Sequence, residues 1–213
     1  MQEKLKKYSE FINVFTKTVD GFFEEQKEFI KCSSGCSICC QTGYYPFTEI
    51  EYAFLKIGFN SLEKETQDII YQRAIEIYKN RKIFTQNGNE LSNFSYTCPY
   101  LFDDLCSLYQ HRGIICRTYG LISISARGEN QFNMPTCLNK GLNYTNIWDE
   151  KIKGFSFEKA QALNLKSSPQ AYPVRYESIL KTLDYIDTGD IRMLFEWIIM
   201  DIPNYQEILN SIN

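Results

Sequence analysis

Apolar residues between positions 4 and 31 recur at helical spacing. Leu5, Tyr8, Phe11, Ile12, Phe15, Val19, Phe22, Phe23, Phe29 and Ile30 alternate with charged residues, which predicts one long amphipathic helix. Gly21 weakens its middle. A core-facing side explains the aromatic stripe without any ligand. A loop of small residues follows over 32–43. Pro46 then precedes Thr48 and Glu51, whose spacing is that of a capping box, so a second helix is expected from Thr48 to about Gly58. A third begins near Ser61. Leu62, Ile69, Ile70, Ala74, Ile77 and Tyr78 give it a buried stripe, while Glu63, Lys64, Glu65, Asp68, Gln72 and Arg73 read as its solvated face; Asn87-Gly88-Asn89 ends it. Between Cys98 and Cys137 the apolar runs shorten, and small strands are expected at 106–109 and 121–125. Helices over 174–186 and 191–200, separated by Thr188-Gly189-Asp190, complete the pattern. The expected fold is mainly α with small β elements. With no repeat or linker in view, the expectation is a single compact helical domain over 1–213, built on a motif region at 32–137 with helical flanks at 1–31 and 140–213.

Composition narrows the function. The chain has 213 residues, of which 44% are hydrophobic, enough to bury a core. Twenty-three Lys and Arg against 26 Asp and Glu leave a net charge of −3, which offers no positive field for nucleic acid or an anionic membrane surface. No apolar run reaches the roughly 18 residues of a membrane span. Met1-Gln2-Glu3-Lys4-Leu5-Lys6-Lys7 has no apolar leader region, so a cytoplasmic location with reduced thiols is expected.

Cysteine changes the picture most. There are eight, four of them within nine positions. In a reducing compartment such clustering points to metal ligation rather than disulfides. Cys32, Cys36 and Cys39 lie on one short loop and can converge on a single centre. Adjacent side chains diverge, so Cys40 is expected to turn away and join a distal set of Cys98, Cys106, Cys116 and Cys137. All eight are candidate ligands. An all-thiolate set suits either Zn²⁺ or an iron–sulfur cluster, and the clustered CxxxCxxC loop tips the balance slightly towards a [4Fe–4S] cluster, with zinc as the alternative.

Two ordered blocks resemble a known family. The first is Cys32, Cys36, Cys39 and Cys40 followed by Phe47-Thr48-Glu49-Ile50. The second runs Cys98-Pro99-Tyr100-Leu101, then Cys106-Ser107-Leu108-Tyr109-Gln110-His111-Arg112 and on to Cys116-Arg117, with Cys137 downstream. The pattern is similar to the YkgJ-type cysteine-cluster proteins, the zinc- or iron-chelating CxxCxxCC family, which includes relatives of flagellin lysine N-methylase. Ser37 and Gly113 depart from it, where the family often has glycine and proline, but neither change removes a sulfur. The resemblance implies metal binding, and its methylase relatives point towards iron–sulfur.

Three roles follow: a structural or metal-handling protein, a redox protein, or an iron–sulfur enzyme modifying a protein or peptide side chain in the manner of the methylase. The first ranks highest, because no acid–base pair or nucleophile is legible. The CxxxCxxC spacing also occurs in radical S-adenosylmethionine enzymes, but the repeated strand–helix units of their barrel are missing. Arg112 and Arg117 are candidates to offset thiolate charge beside the cofactor, against a plain reading as surface ion pairs with Asp103 or Asp104. His111, the sole histidine, is read as a packed or hydrogen-bonded residue before a ligand. Tyr109 and Tyr119 are expected to pack over the site.

Overall fold

The computed structural model describes residues 1–124 and 132–212. In chain order its helices are α1 (Gln2–Glu25), α2 (Ile38–Gln41), α3 (Glu49–Phe59), α4 (Lys64–Gln86), α5 (Ile114–Thr118), α6 (Phe157–Ala162), α7 (Tyr176–Lys181), α8 (Leu194–Met200) and α9 (Tyr205–Ile212). Its strands are β1 (Pro46–Thr48), β2 (Leu101–Phe102), β3 (Leu105–Cys106), β4 (Ile122–Ile124), β5 (Phe132–Asn133), β6 (Trp148–Asp149), β7 (Gly154–Phe155), β8 (Ala171–Tyr172) and β9 (Ile191–Met193). About half of the described residues are helical and every strand is short, a mainly α protein as expected. The chain divides into two compact units, the first made of Met1–Ser9, Cys40–Gly113 and Ile186–Asn213, the second of Glu10–Cys39 and Ile114–Tyr185.

In the first unit, α3 starts where the sequence places it. Glu51 N–H donates to the Thr48 hydroxyl at 3.3 Å, and the Glu51 carboxylate accepts from Thr48 N–H at 3.0 Å and from its hydroxyl at 3.1 Å. Both residues are fully buried. The loop at 188–190 closes the same helix end, because Thr188 and Asp190 carbonyls accept from Ile50 and Glu49. Thr48→Ala therefore removes the side-chain cap and one hydrogen bond to a buried carboxylate. It is expected to cost about 1–2 kcal/mol, lowering the melting temperature by roughly 2–8 °C in a calorimetric scan. The expected helix over 191–200 begins as a strand. Ile191–Met193 pair antiparallel with Pro46–Thr48, and only from Leu194 does the chain turn helical. Trp197 on α8 donates its indole N–H to Phe47 O at 2.8 Å, and its ring stacks on Tyr52 of α3. Helix α4 packs on α8, where Arg81 pairs with Glu196 at 2.6 Å. The strand expected at 106–109 is shorter. Leu105–Cys106 pair with Leu101–Phe102 across Asp103 and Asp104, both left-handed (φ 47° and 61°) as a two-residue hairpin requires.

In the second unit, the helix expected to reach residue 31 ends at Glu25, because Gln26 and Glu28 are used to hold a distant loop. Gln26 is buried; its side-chain carbonyl accepts from Gln170 N–H at 2.8 Å, and Glu28 accepts from Ser167 N–H at 2.9 Å. Phe29 then turns into a core with Ile122, Leu138, Tyr144 and Ile147, which Ile30, Met134 and Trp148 flank. Strand β4 lies between β5, antiparallel, and β8, parallel, and falls within the strand expected over 121–125, starting one residue later at Ile122; Ser125 lies outside the described residues. The helix expected over 174–186 is confined to Tyr176–Lys181.

Candidate metal centre

The turn after Phe29 presents the first cysteines. Tyr144 N–H donates to Phe29 O at 2.8 Å, which seats the chain entering the loop. Asn143, fully buried, then organises it. Its side-chain carbonyl accepts from Lys31 N–H at 2.7 Å, and its amide nitrogen donates to Gly120 O at 2.9 Å and lies 3.2 Å from Cys32 Sγ. Gly120 is left-handed (φ 100°), and a Cβ there would come within 2.8 Å of the Asn143 amide and 3.2 Å of Cys32 Sγ, so only glycine lets the strand approach. Gly35 (φ 85°) bends the loop, Cys36 N–H donates to Ser33 O at 3.0 Å, and Cys39 follows on α2. Cys137 sits buried in a 3₁₀ turn over Thr136–Lys140.

In this unit Cys32 is electrostatically linked to Cys36, Cys39 and Cys137. Burial pushes the Cys32 thiol up; the Asn143 hydrogen bond opposes that, and the charges of Cys36 and Cys39 add to it. The Cys137 thiol is pushed up to about 11 by burial first and then by Cys32, with the backbone of Asn143 working the other way and Cys39 adding to the rise. Mutual repulsion among thiolates is what a bound cation reverses. Cys137, which sequence order groups with the distal cysteines, thus lies with Cys32 and Cys39. Cys116 belongs to the same unit, half-buried on α5.

The first unit holds Cys40, Cys98 and Cys106. Cys98 N–H donates to Cys40 O at 2.7 Å, and Cys106 lies on β3 opposite Leu101. Tyr100, fully buried, has its hydroxyl held well above its ordinary range, by burial first and then chiefly by the Cys98 charge, with Cys106 also contributing. None of the eight cysteines is in a disulfide. Among the described residues no three Cys, His, Asp or Glu side chains already stand in an arrangement that would hold a metal ion, so closing on one requires side-chain rotation. The donor chemistry fits a thiophilic metal: the second unit carries five cysteines, three on a glycine-turned loop, one in a 3₁₀ turn and one on α5.

Other candidates are placed more plainly. His111 packs its ring against Phe54 (5.2 Å between centroids) and over Gly58, whose added Cβ would meet Nδ1 at 2.6 Å. Arg112 lies over the Tyr109 ring at 3.7 Å. Arg117 is buried in the second unit and donates to the Thr16 hydroxyl at 2.9 Å. Tyr119 lines a separate cavity in that unit, beside Gly120 and Leu121. Sequence reasoning missed Asn143. It falls beyond the last cysteine in no recognisable pattern, and its role depends on segments more than 100 residues away.

A helical protein with gathered, unoxidised cysteines defines a thiol-rich metal-binding class, and the comparisons agree. Residues 31–138 match the CxxCxxCC family, described as a putative zinc- or iron-chelating domain. The chain belongs to that family, and metal binding is the property the match supports. No curated protein and no solved structure matches the chain. Among the described residues no helix is long and apolar enough to cross a membrane.

Proposed function

We propose that Cys32, Cys36, Cys39 and Cys137 hold one metal centre, a [4Fe–4S] cluster in preference to zinc, and that the chain serves a structural, metal-handling or redox role. The observation that supports this most is that the buried Cys137 thiol feels the charges of Cys32 and Cys39, about 100 residues earlier in the chain. Four sulfurs meet the requirement of either a tetrahedral ion or a cubane. Asn143 supports it from outside the ligand set, since an N–H directed at a ligand sulfur stabilises thiolate charge. Arg117, buried in the same unit and donating to the Thr16 hydroxyl, is a candidate to offset net negative charge on a four-thiolate centre. Cys40, Cys98 and Cys106 form a second donor set, with Cys116 a further candidate ligand and Arg112 a further candidate for charge compensation. Metal analysis of anaerobically prepared protein tests the preference. About four irons with acid-labile sulfide and a brown colour are expected. A colourless protein carrying zinc would replace the cluster with a zinc site, and a metal-free chain with eight freely alkylated thiols would end the proposal.

A further inference from the structure

A cleft of about 520 Å³ opens in the first unit, between one face of α4 and an extended segment at 94–98. From the helix, Arg73, Glu76, Ile77 and Asn80 line it, the i, i+3, i+4, i+7 spacing of a single face. At 1.5 Å per residue this face runs about 10 Å along the axis, the length of roughly three strand residues.

The opposite wall has one edge paired and the other open. Gly43 N–H donates to Tyr96 O at 3.2 Å, Tyr96 N–H returns to Gly43 O at 3.4 Å, and Cys98 N–H reaches Cys40 O at 2.7 Å. In an extended chain successive residues direct their backbone groups to opposite edges. Ser95 and Thr97 therefore present theirs away from the 40–43 segment; both residues line the cleft, which Gln41 and Thr42 of the paired segment also border. Among the described residues no hydrogen bond uses these backbone groups; Thr97 bonds through its hydroxyl, to Gln41 O at 2.9 Å.

The charges in the cleft are unequal in availability. Arg73, read from sequence as part of a solvated face, is instead a wall. Its Nη1 donates to Pro99 O at 3.0 Å and Leu101 O at 2.7 Å, and its guanidinium covers the Phe102 ring at 4.1 Å. Glu76 has no hydrogen bond or ion pair among the described residues. Ile77, Phe94 and Leu101 supply apolar surface beside it.

We propose that this cleft binds an extended peptide, which pairs as an added strand along the Ser95–Thr97 edge and sets a Lys or Arg side chain against Glu76. Main-chain pairing supplies the attachment, and the carboxylate with its apolar neighbours selects the side chains. Cys98 lies at one end of this wall, but the assignment rests on the backbone edge and Glu76 and not on the metal reading.

The test is fluorescence anisotropy on the full chain with a fluorescein-labelled acetyl-Val-Lys-Val-Lys-Val-amide probe. Saturable binding is expected, weakened about tenfold when Glu replaces Lys in the peptide or when alternate backbone nitrogens are methylated. Glu76→Lys should reverse the preference between the Lys and Glu peptides. Ser95→Pro, which deletes one edge donor, should weaken both, with circular dichroism confirming the fold; if that variant does not fold, the Glu76→Lys reversal and the methylated probe decide. Equal binding of the methylated probe at both methylation registers, an unchanged preference in Glu76→Lys, displacement by free lysine at the concentration at which peptide acts, or no saturable binding at millimolar probe would each overturn the proposal. Because metal content is not the readout, either conclusion can fail alone.

Discussion

Cys137→Ser is expected to remove most of the metal bound in the second unit while sparing the first. Cys137 is a buried sulfur on a separate turn whose thiol senses the charges of Cys32 and Cys39, so without it three ligands on one loop are left to hold the proposed centre. Cys36→Ser should act in the same way, and Cys40→Ser in the opposite way, depleting whatever the Cys40, Cys98 and Cys106 set holds. Metal per chain, measured for each variant beside the unmodified protein with anaerobic spectra, distinguishes these outcomes. Parallel and complete loss in all three would replace two sets with one shared centre. Because ligand binding energy is folding energy where no site exists in the unfolded chain, the melting temperature of Cys137→Ser should fall together with its metal content.

Phe29→Ala should give the largest loss of stability among single changes away from the sulfurs. The ring is 1% exposed, stacks on Tyr144 at 5.9 Å and closes the core formed with Ile122, Leu138 and Ile147. Truncating such a ring costs about 3–5 kcal/mol, which in a chain of this size lowers the melting temperature by roughly 6–20 °C. Phe29→Leu keeps most of the volume and should cost less than about 1.5 kcal/mol. Leu138 of this core is next to Cys137, and Phe29 is three residues before Cys32, so the cavity should also loosen the metal loop. Faster zinc or iron release to a chelator from Phe29→Ala than from Phe29→Leu is the expected result. Equal melting temperatures for the two would mean that the core does not depend on this ring.

What the sequence made legible is local. Thr48 and Glu51 announce α3 because a capping box involves only four consecutive residues. The eight cysteines and their loop are legible because ligand identity is written in residue type. What stayed hidden depends on distant partners. Ile191–Met193 carry the apolar spacing of a helix, and only pairing with Pro46–Thr48 makes them a strand. Helix α1 loses its last turn because Gln26 and Glu28 bind a loop some 140 residues away, which no helical pattern encodes. Arg73 looked solvated on a helical wheel, which shows polarity and not the carbonyls of Pro99 and Leu101 that occupy it. The grouping of Cys137 failed for the same reason, since order along the chain does not fix which sulfurs meet.

The interleaving of the two units has a consequence for biosynthesis. The first unit needs chain from Met1–Ser9, Cys40–Gly113 and Ile186–Asn213, so β1 waits until β9 has been made. At about 5–20 residues per second, synthesis of the intervening stretch from Ile114 to Tyr185 takes roughly 4–14 s. During that interval Cys40, Cys98 and Cys106 have emerged into a unit that cannot yet close, whereas the second unit has all its residues as soon as Tyr185 is added. A ribosome-bound chain therefore has all five cysteines of its second unit in hand before the first unit can close, and Cys40, Cys98 and Cys106 stay open to oxidants and to any metal in reach until the segment from Ile186 onward has been added.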